Sequence, residues 1–123
     1  YRYEDGDSTP GSCDTMLAMI GDLQRERGIS PRKITDSEIR ERLVLRMVCE
    51  AYRVMDEGIA QRESDLDVAT VQGGGSPDFR GGVLKYAKDQ GTEQILSQLE
   101  SYKKQYGERF SPSKLLREPK GVS

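Results

Sequence analysis

The stretch Gly73-Gly74-Gly75-Ser76-Pro77-Asp78-Phe79-Arg80-Gly81-Gly82 is the first place in this chain where residue types and spacing suggest chemistry. Glycine-rich loops hold phosphates when free backbone amides face an anion at the start of a helix. The signals that accompany such loops are missing here. No strand pattern precedes the loop, no Gly-Lys-Ser/Thr ending follows it, and Asp78 repels a phosphate. The competing reading is a tight helix-to-helix connection, in which glycine adopts backbone angles closed to other residues and lets helices approach. The spacing favours that connection. Gly75, Pro77, Gly81 and Gly82 are its expected structural residues, and Arg80 is expected to anchor it on carbonyls or on a helix-capping carboxylate.

Three further groups invite a chemical reading. Asp56, Glu57, Glu63, Asp65 and Asp67 form an acidic set, but their spacing fails the D-x-[DN]-x-[DN]-G pattern of a calcium loop. Helix capping and solvated faces explain them better. Between Ser101 and Lys120, Lys103, Lys104, Arg109, Lys114, Arg117 and Lys120 outnumber Glu108 and Glu118, with Tyr102, Tyr106 and Phe110 interleaved. That composition suits an acidic partner, but cations near the end of a solvated helix account for it more simply. Histidine is absent, which removes imidazole acid–base catalysis, histidine triads and histidine metal sites from the chain. Cys13 and Cys49 are too few for a disulfide framework or a zinc site. Cys49 lies in a helical pattern and reads as a buried, reduced thiol. Nothing assembles a nucleophile, a base and an oxyanion site, and neither a catalytic residue, a cofactor ligand nor a metal ligand is expected.

The chain has 123 residues, enough for one modest core. Hydrophobic residues are 34% and charged residues 33%, so part of the chain is expected to be solvated linker or tail. With 19 Lys plus Arg against 21 Asp plus Glu, the net charge of −2 gives no reason to expect a nucleic-acid partner. No apolar run approaches membrane-spanning length. The sequence opens on Tyr1 and reads as a piece of a longer protein.

Residues 1–34 are expected to be a linker followed by a short helical segment. Tyr1–Ser12 has no period; then Asp14 is expected to cap a helix carrying Met16, Leu17, Ile20 and Leu23, which Gly28 and Pro31 end. Residues 35–118 are expected to form a helical domain, and 119–123 a loose tail. Thr35 and Glu38 stand at capping-box spacing before a run, Asp36 to Glu57, that contains no Gly or Pro. Gly58 is the expected left-handed C-cap. Ser64 is expected to cap the next helix with Asp67 three residues on, and Gly73–Gly75 end it. A short helix around Val83, Leu84, Tyr86 and Ala87 stops at Gly91. Thr92 is expected to cap a last long helix with Ile95, Leu99, Tyr102 and Tyr106 on one face, ended by Gly107. A turn with Leu115 and Leu116 follows Pro112. No segment alternates at period two, so the expected fold is all-α, with four to five helices.

Three stretches taken together carry a resemblance: Glu41-Arg42-Leu43 running to MVCEAYRVMDEGI at 47–59, SDLDVATVQGGGSPDFRGG at 64–82, and YKKQYGERFSPSKLL at 102–116. In order and spacing they resemble the last helical repeat of the L-3-hydroxyacyl-CoA dehydrogenase part of multifunctional fatty-acid β-oxidation enzymes, which also carry enoyl-CoA hydratase. The resemblance runs from Thr35 to Leu116. The sequence departs from the family's pattern at Arg46, where proline is usual, at Cys49 for asparagine, at Ser76 for an aromatic residue, and at Val83 for proline.

The resemblance implies a domain without catalytic residues, since the family's His–Glu pair lies in an NAD-binding Rossmann domain. It implies that NAD and the acyl-CoA substrate are handled elsewhere in the parent chain. The expected partners are the preceding helical repeat and the Rossmann domain. The compartment it implies is a peroxisome-type organelle, with bacterial cytoplasm or mitochondrion as alternatives. The alternative function is an independent helical interaction module. The second half of the Asp36–Glu57 helix is apolar on a wide face, and that face is expected to exceed what the remaining helices cover, so the piece alone is expected to form a homodimer.

Overall fold

The protein is described here by a computed structural model covering residues 3, 5, 6 and 9–118. The expected tail at 119–123, with Lys120, and residues 1, 2, 4, 7 and 8 of the linker lie outside the described residues. Among the described residues there are six α-helices and no strand. They are α1 (Asp14–Glu26), α2 (Asp36–Asp56), α3 (Glu63–Gln72), α4 (Val83–Gln90), α5 (Thr92–Tyr106) and the single turn α6 (Lys114–Arg117). Two 3-10 turns, Asp78–Arg80 and Glu108–Phe110, complete the order. The fold is all-α, as the Gly-punctuated helical patterns predict, and the sixth helix is the turn that carries Leu115 and Leu116.

The chain divides into two compact units, Tyr1–Ile34 and Thr35–Ser123. The first contains α1. The cap position is Cys13, whose backbone is extended, and Asp14 is already the first helical residue. Asp14 is therefore a first-turn acid facing the helix dipole rather than the cap expected from its type. At the other end, Gly28 adopts a φ of 62°. Its amide donates to the Arg25 carbonyl at 3.1 Å and the Ile29 amide to the Gln24 carbonyl at 2.8 Å, the paired bonds of a Schellman closure.

In the second unit, α2 is the central helix. It packs against α4, α5, α6 and the 108–110 turn, while α3 lies on α4. The core is Leu45, Val48, Cys49, Ala51 and Tyr52 of α2 with Val83, Leu84 and Ala87 of α4, Ile95 and Leu99 of α5, and Phe110 and Leu116. Each fully buried aliphatic side chain of this kind contributes about 1.5–3 kcal/mol of transfer free energy. Most of the apolar second half of α2 is covered within the unit, at Val48, Cys49, Ala51 and Tyr52, so less of its stripe is left open than expected. The apolar side chains that α2 leaves exposed are Ile39 and Leu43 in its first half and Met47 just past its middle.

Two more expected caps fall elsewhere. Helix α3 starts at Glu63, one residue before Ser64, so Ser64 lies inside its first turn and Arg62 holds the cap position. Thr92 is the first helical residue of α5, because Gly91 alone turns the corner between α4 and α5 with a φ of 90°. A threonine does not adopt that angle readily, which is why the corner falls on the glycine.

Candidate functional site

The glycine loop and the helix ends around it are where the sequence-predicted residues converge. Asp67 projects from α3, half-buried, toward the start of α4. Its Oδ1 accepts the Leu84 amide at 2.7 Å, and its Oδ2 accepts the Lys85 amide at 3.0 Å. These are two of the free donors at the N-terminus of α4. Asp67 is therefore a helix cap, but for the helix after the loop rather than for its own. Its approach depends on Gly82. A β-carbon built on Gly82 would lie 2.3 Å from the Asp67 β-carbon and 2.4 Å from Oδ1, and Gly82 also has a φ of 106°. Gly82 is thus required both by its backbone angle and by the carboxylate packed against it.

The rest of the loop is a wound connection. Gly73 and Gly74 amides donate back to Ala69 and Thr70 carbonyls at 2.9 and 3.2 Å, and the Ser76 amide returns to Thr70 at 3.0 Å. Gly75 turns the chain at φ 69°. Pro77 leads into the 78–80 turn, where the Arg80 amide donates to the Pro77 carbonyl at 3.1 Å and Gly81 to Asp78 at 2.9 Å. The Asp78 carboxylate accepts the Phe79 amide at 2.7 Å. Among the described residues the Arg80 guanidinium bonds neither a carbonyl nor a carboxylate. It lies 5.1 Å from the Phe79 ring centroid and 6.0 Å from that of Tyr86, so its described contacts are with aromatic faces.

The amides that would meet an anion at the start of α4 already bond a carboxylate, and Asp67 adds a negative charge there. Among the described residues no strand feeds the loop, and the helix it opens is capped by the Asp67 carboxylate of α3.

A second carboxylate repeats the device. Asp56, at the end of α2, accepts the Leu115 amide at 3.0 Å, while Ser113 Oγ accepts the Leu116 amide at 3.3 Å. Together they satisfy the start of α6. Sequence reading placed Asp56 among generic capping carboxylates and had no signal for a partner 59 residues away.

At the start of α2, Thr35 Oγ1 accepts the Glu38 amide at 3.2 Å, as capping-box spacing predicts. The Glu38 carboxylate also accepts the Tyr106 hydroxyl at 2.7 Å, and Arg42 lies 4.0 Å over the Tyr106 ring. One turn on, Glu41 accepts the Tyr102 hydroxyl at 2.9 Å. Desolvation pushes the Tyr102 phenol up to about 12, and the hydrogen bond and negative charge of Glu41 add to it. Sequence reading placed Tyr102 and Tyr106 on an apolar face and missed their hydroxyls, which tie α5 to α2. At the end of α2, Gly58 has a φ of 69°; its amide donates to Met55 and that of Ile59 to Val54, both at 3.1 Å.

Cys49 is buried and free, with its Sγ 3.8 Å from the Ser111 carbonyl. Burial pushes its thiol up, while Arg46 and Arg53 pull the other way. Cys13 is free and partly exposed. Among the described residues no three Asp, Glu or Cys side chains gather into a metal-ligand set. No described helix is long and apolar enough to cross a membrane.

No protein-family profile matches the chain. Individual proteins do. Over 122 residues, 96% of this chain, it is 37% identical to a peroxisomal fatty acid beta-oxidation multifunctional protein of Arabidopsis thaliana, covering 17% of that protein. It is 38% identical over 103 residues, 83% of the chain, to the peroxisomal bifunctional enzyme of Danio rerio, covering 14% of it. A bacterial relative, the fatty acid oxidation complex subunit alpha of Shewanella sp. (strain MR-4), is 34% identical over 119 residues, 96% of the chain and 16% of that protein. The chain spans about a sixth of the length of these relatives.

Proposed function

We propose, from its 34–38% identity to segments of fatty acid beta-oxidation multifunctional proteins and their bacterial counterpart, that this chain is a non-catalytic helical domain of such an enzyme. The parent would oxidise L-3-hydroxyacyl-CoA to 3-ketoacyl-CoA with NAD and hydrate enoyl-CoA. This domain packs against the preceding helical repeat and the Rossmann domain and supports their assembly. The observation that carries the reading is the alignment over 96% of the chain with one such protein. The internal chemistry supports it. The chain has no histidine, and its well-placed carboxylates Asp56, Asp67, Glu38 and Glu41 are all engaged in holding helices together.

Exposed Ile59 and Val68 in the second unit, away from the α2 ridge, support an assembly surface on which the isolated piece pairs with a second copy. The peroxisomal and glyoxysomal names among its relatives support a peroxisome-type compartment.

Two measurements test the reading. The pure chain, given a 3-hydroxyacyl-CoA and NAD, is expected to form no NADH; measurable turnover overturns the non-catalytic role. Light scattering is expected to show a mass that rises toward a dimer with concentration. A monomer at every concentration removes the self-pairing.

A further inference from the structure

A groove of about 650 Å³ opens between the first half of α2, the glycine loop and the start of α4. Val44 and Met47 of α2, Phe79 of the loop and Val83 of α4 supply its apolar surface, and Arg40 and Arg80 supply its charge. No carboxylate lines it, although Asp and Glu outnumber Lys and Arg in the chain, 21 to 19. Among the described residues neither Arg40 nor Arg80 forms an ion pair. Arg42, Arg46, Arg53 and Arg62, by contrast, each pair with a Glu or Asp within four residues.

The apolar surface continues past the groove. Through Met47 it runs up α2 to Leu43 and Ile39, which are exposed at four-residue intervals. At 1.5 Å per residue that ridge is about 12 Å long. Phe79, 78% exposed, stands at the groove on a turn whose backbone bonds are satisfied from within. An exposed aromatic on a fixed loop is an anchor that loses little freedom when covered.

We propose that this surface docks an acidic amphipathic helix of a partner protein, with its apolar face on Phe79, Met47 and Leu43 and its carboxylates on Arg40 and Arg80. The proposal deepens the assembly reading above and rests on it. The linear continuation along α2 selects an elongated partner, since a compact solute would fill the groove and leave the ridge bare. The two guanidiniums, without an ion pair among the described residues, select negative charge, because an uncharged or basic helix would leave them unmatched at the rim of an apolar contact.

The test uses the full 123-residue chain and two labelled synthetic helices, read by fluorescence anisotropy. Both carry Leu at i, i+3, i+4 and i+7; one flanks them with Glu and the other with Lys. The Glu helix is expected to bind about tenfold or more tightly than the Lys helix. The double variant Arg40→Glu, Arg80→Glu is expected to reverse that preference. Phe79→Ala, a change at an exposed side chain, is expected to weaken the Glu helix about tenfold with the helical circular dichroism unchanged. Equal binding of the two helices, or a preference unmoved by the charge reversal, overturns the proposal. So does octanoate binding where the Glu helix fails, which assigns the groove to a small amphipathic anion. A dimer that the charge reversal abolishes also overturns it, by assigning the groove to a second copy. In that last case light scattering still bears out the assembly reading, so the two fail separately.

Discussion

Asp67 and Gly82 are complementary in a way that neither residue type announces. The carboxylate caps α4 because there is no side chain in its path, and the glycine is required because the carboxylate is there. A graded series follows. Asp67→Asn keeps one acceptor oxygen and is expected to cost least. Asp67→Ala strips both bonds and is expected to cost about 1–2 kcal/mol, the usual scale for a lost cap. Gly82→Ala is expected to cost more than either, since it adds strain at φ 106° to a clash at 2.3 Å. Asp67→Ala is not expected to relieve Gly82→Ala, because the β-carbon that causes the closest contact remains. Urea unfolding midpoints of wild type, the three single variants and the Asp67→Ala/Gly82→Ala double variant order these costs. An Asp67→Ala midpoint equal to wild type would show that the cap contributes nothing.

Helix α5 is held to α2 by two different kinds of contact, and the two respond differently to change. Ile95 and Leu99 fill the core, with Leu99 fully buried. Leu99→Ala is expected to cost about 2–5 kcal/mol, while Leu43→Ala, at a side chain 64% exposed, is expected to stay within about 0.5 kcal/mol. The hydroxyl contacts carry a pH signature instead. Folding raises the Tyr102 phenol from 10 to about 12. The folded state therefore favours the neutral phenol, and this stabilisation is complete below pH 10 and lost as pH rises from 10 through 12. Against Tyr102→Phe, wild type is expected to be more stable by about 1 kcal/mol near neutrality, the net worth of one hydrogen bond. That margin is expected to shrink between pH 10 and 12; a constant margin in denaturant titrations across that range contradicts the assignment.

Across the whole molecule, what was legible in the sequence was what is decided locally. Thr35 and Glu38 are three residues apart and Gly58 stands just past the Glu57 C-cap of α2, so both ends of that helix could be read from their own neighbours. The heptad-like run Ile95, Leu99, Tyr102, Tyr106 gave the inward face of α5 for the same reason. Ser64, Thr92 and Asp14 were misplaced because a cap depends on where the backbone turns, and Arg62, Gly91 and Cys13 take those turns. The roles of Asp56 and Asp67 were illegible because their acceptor oxygens find amides 59 and 17 residues on, a pairing that exists only after the helices have met. Those two long-range caps also bear on how the structure opens. The first amides of a helix ordinarily exchange with solvent early, as ends fray. Here Leu84 and Leu115 are such amides, yet each is bonded to a carboxylate from a different helix and is released only when two elements separate. In native-state hydrogen exchange they are expected to behave like core amides, with Leu115 slowing alongside Val48 and Leu84 alongside Leu99, so that the helix starts become late reporters of global unfolding.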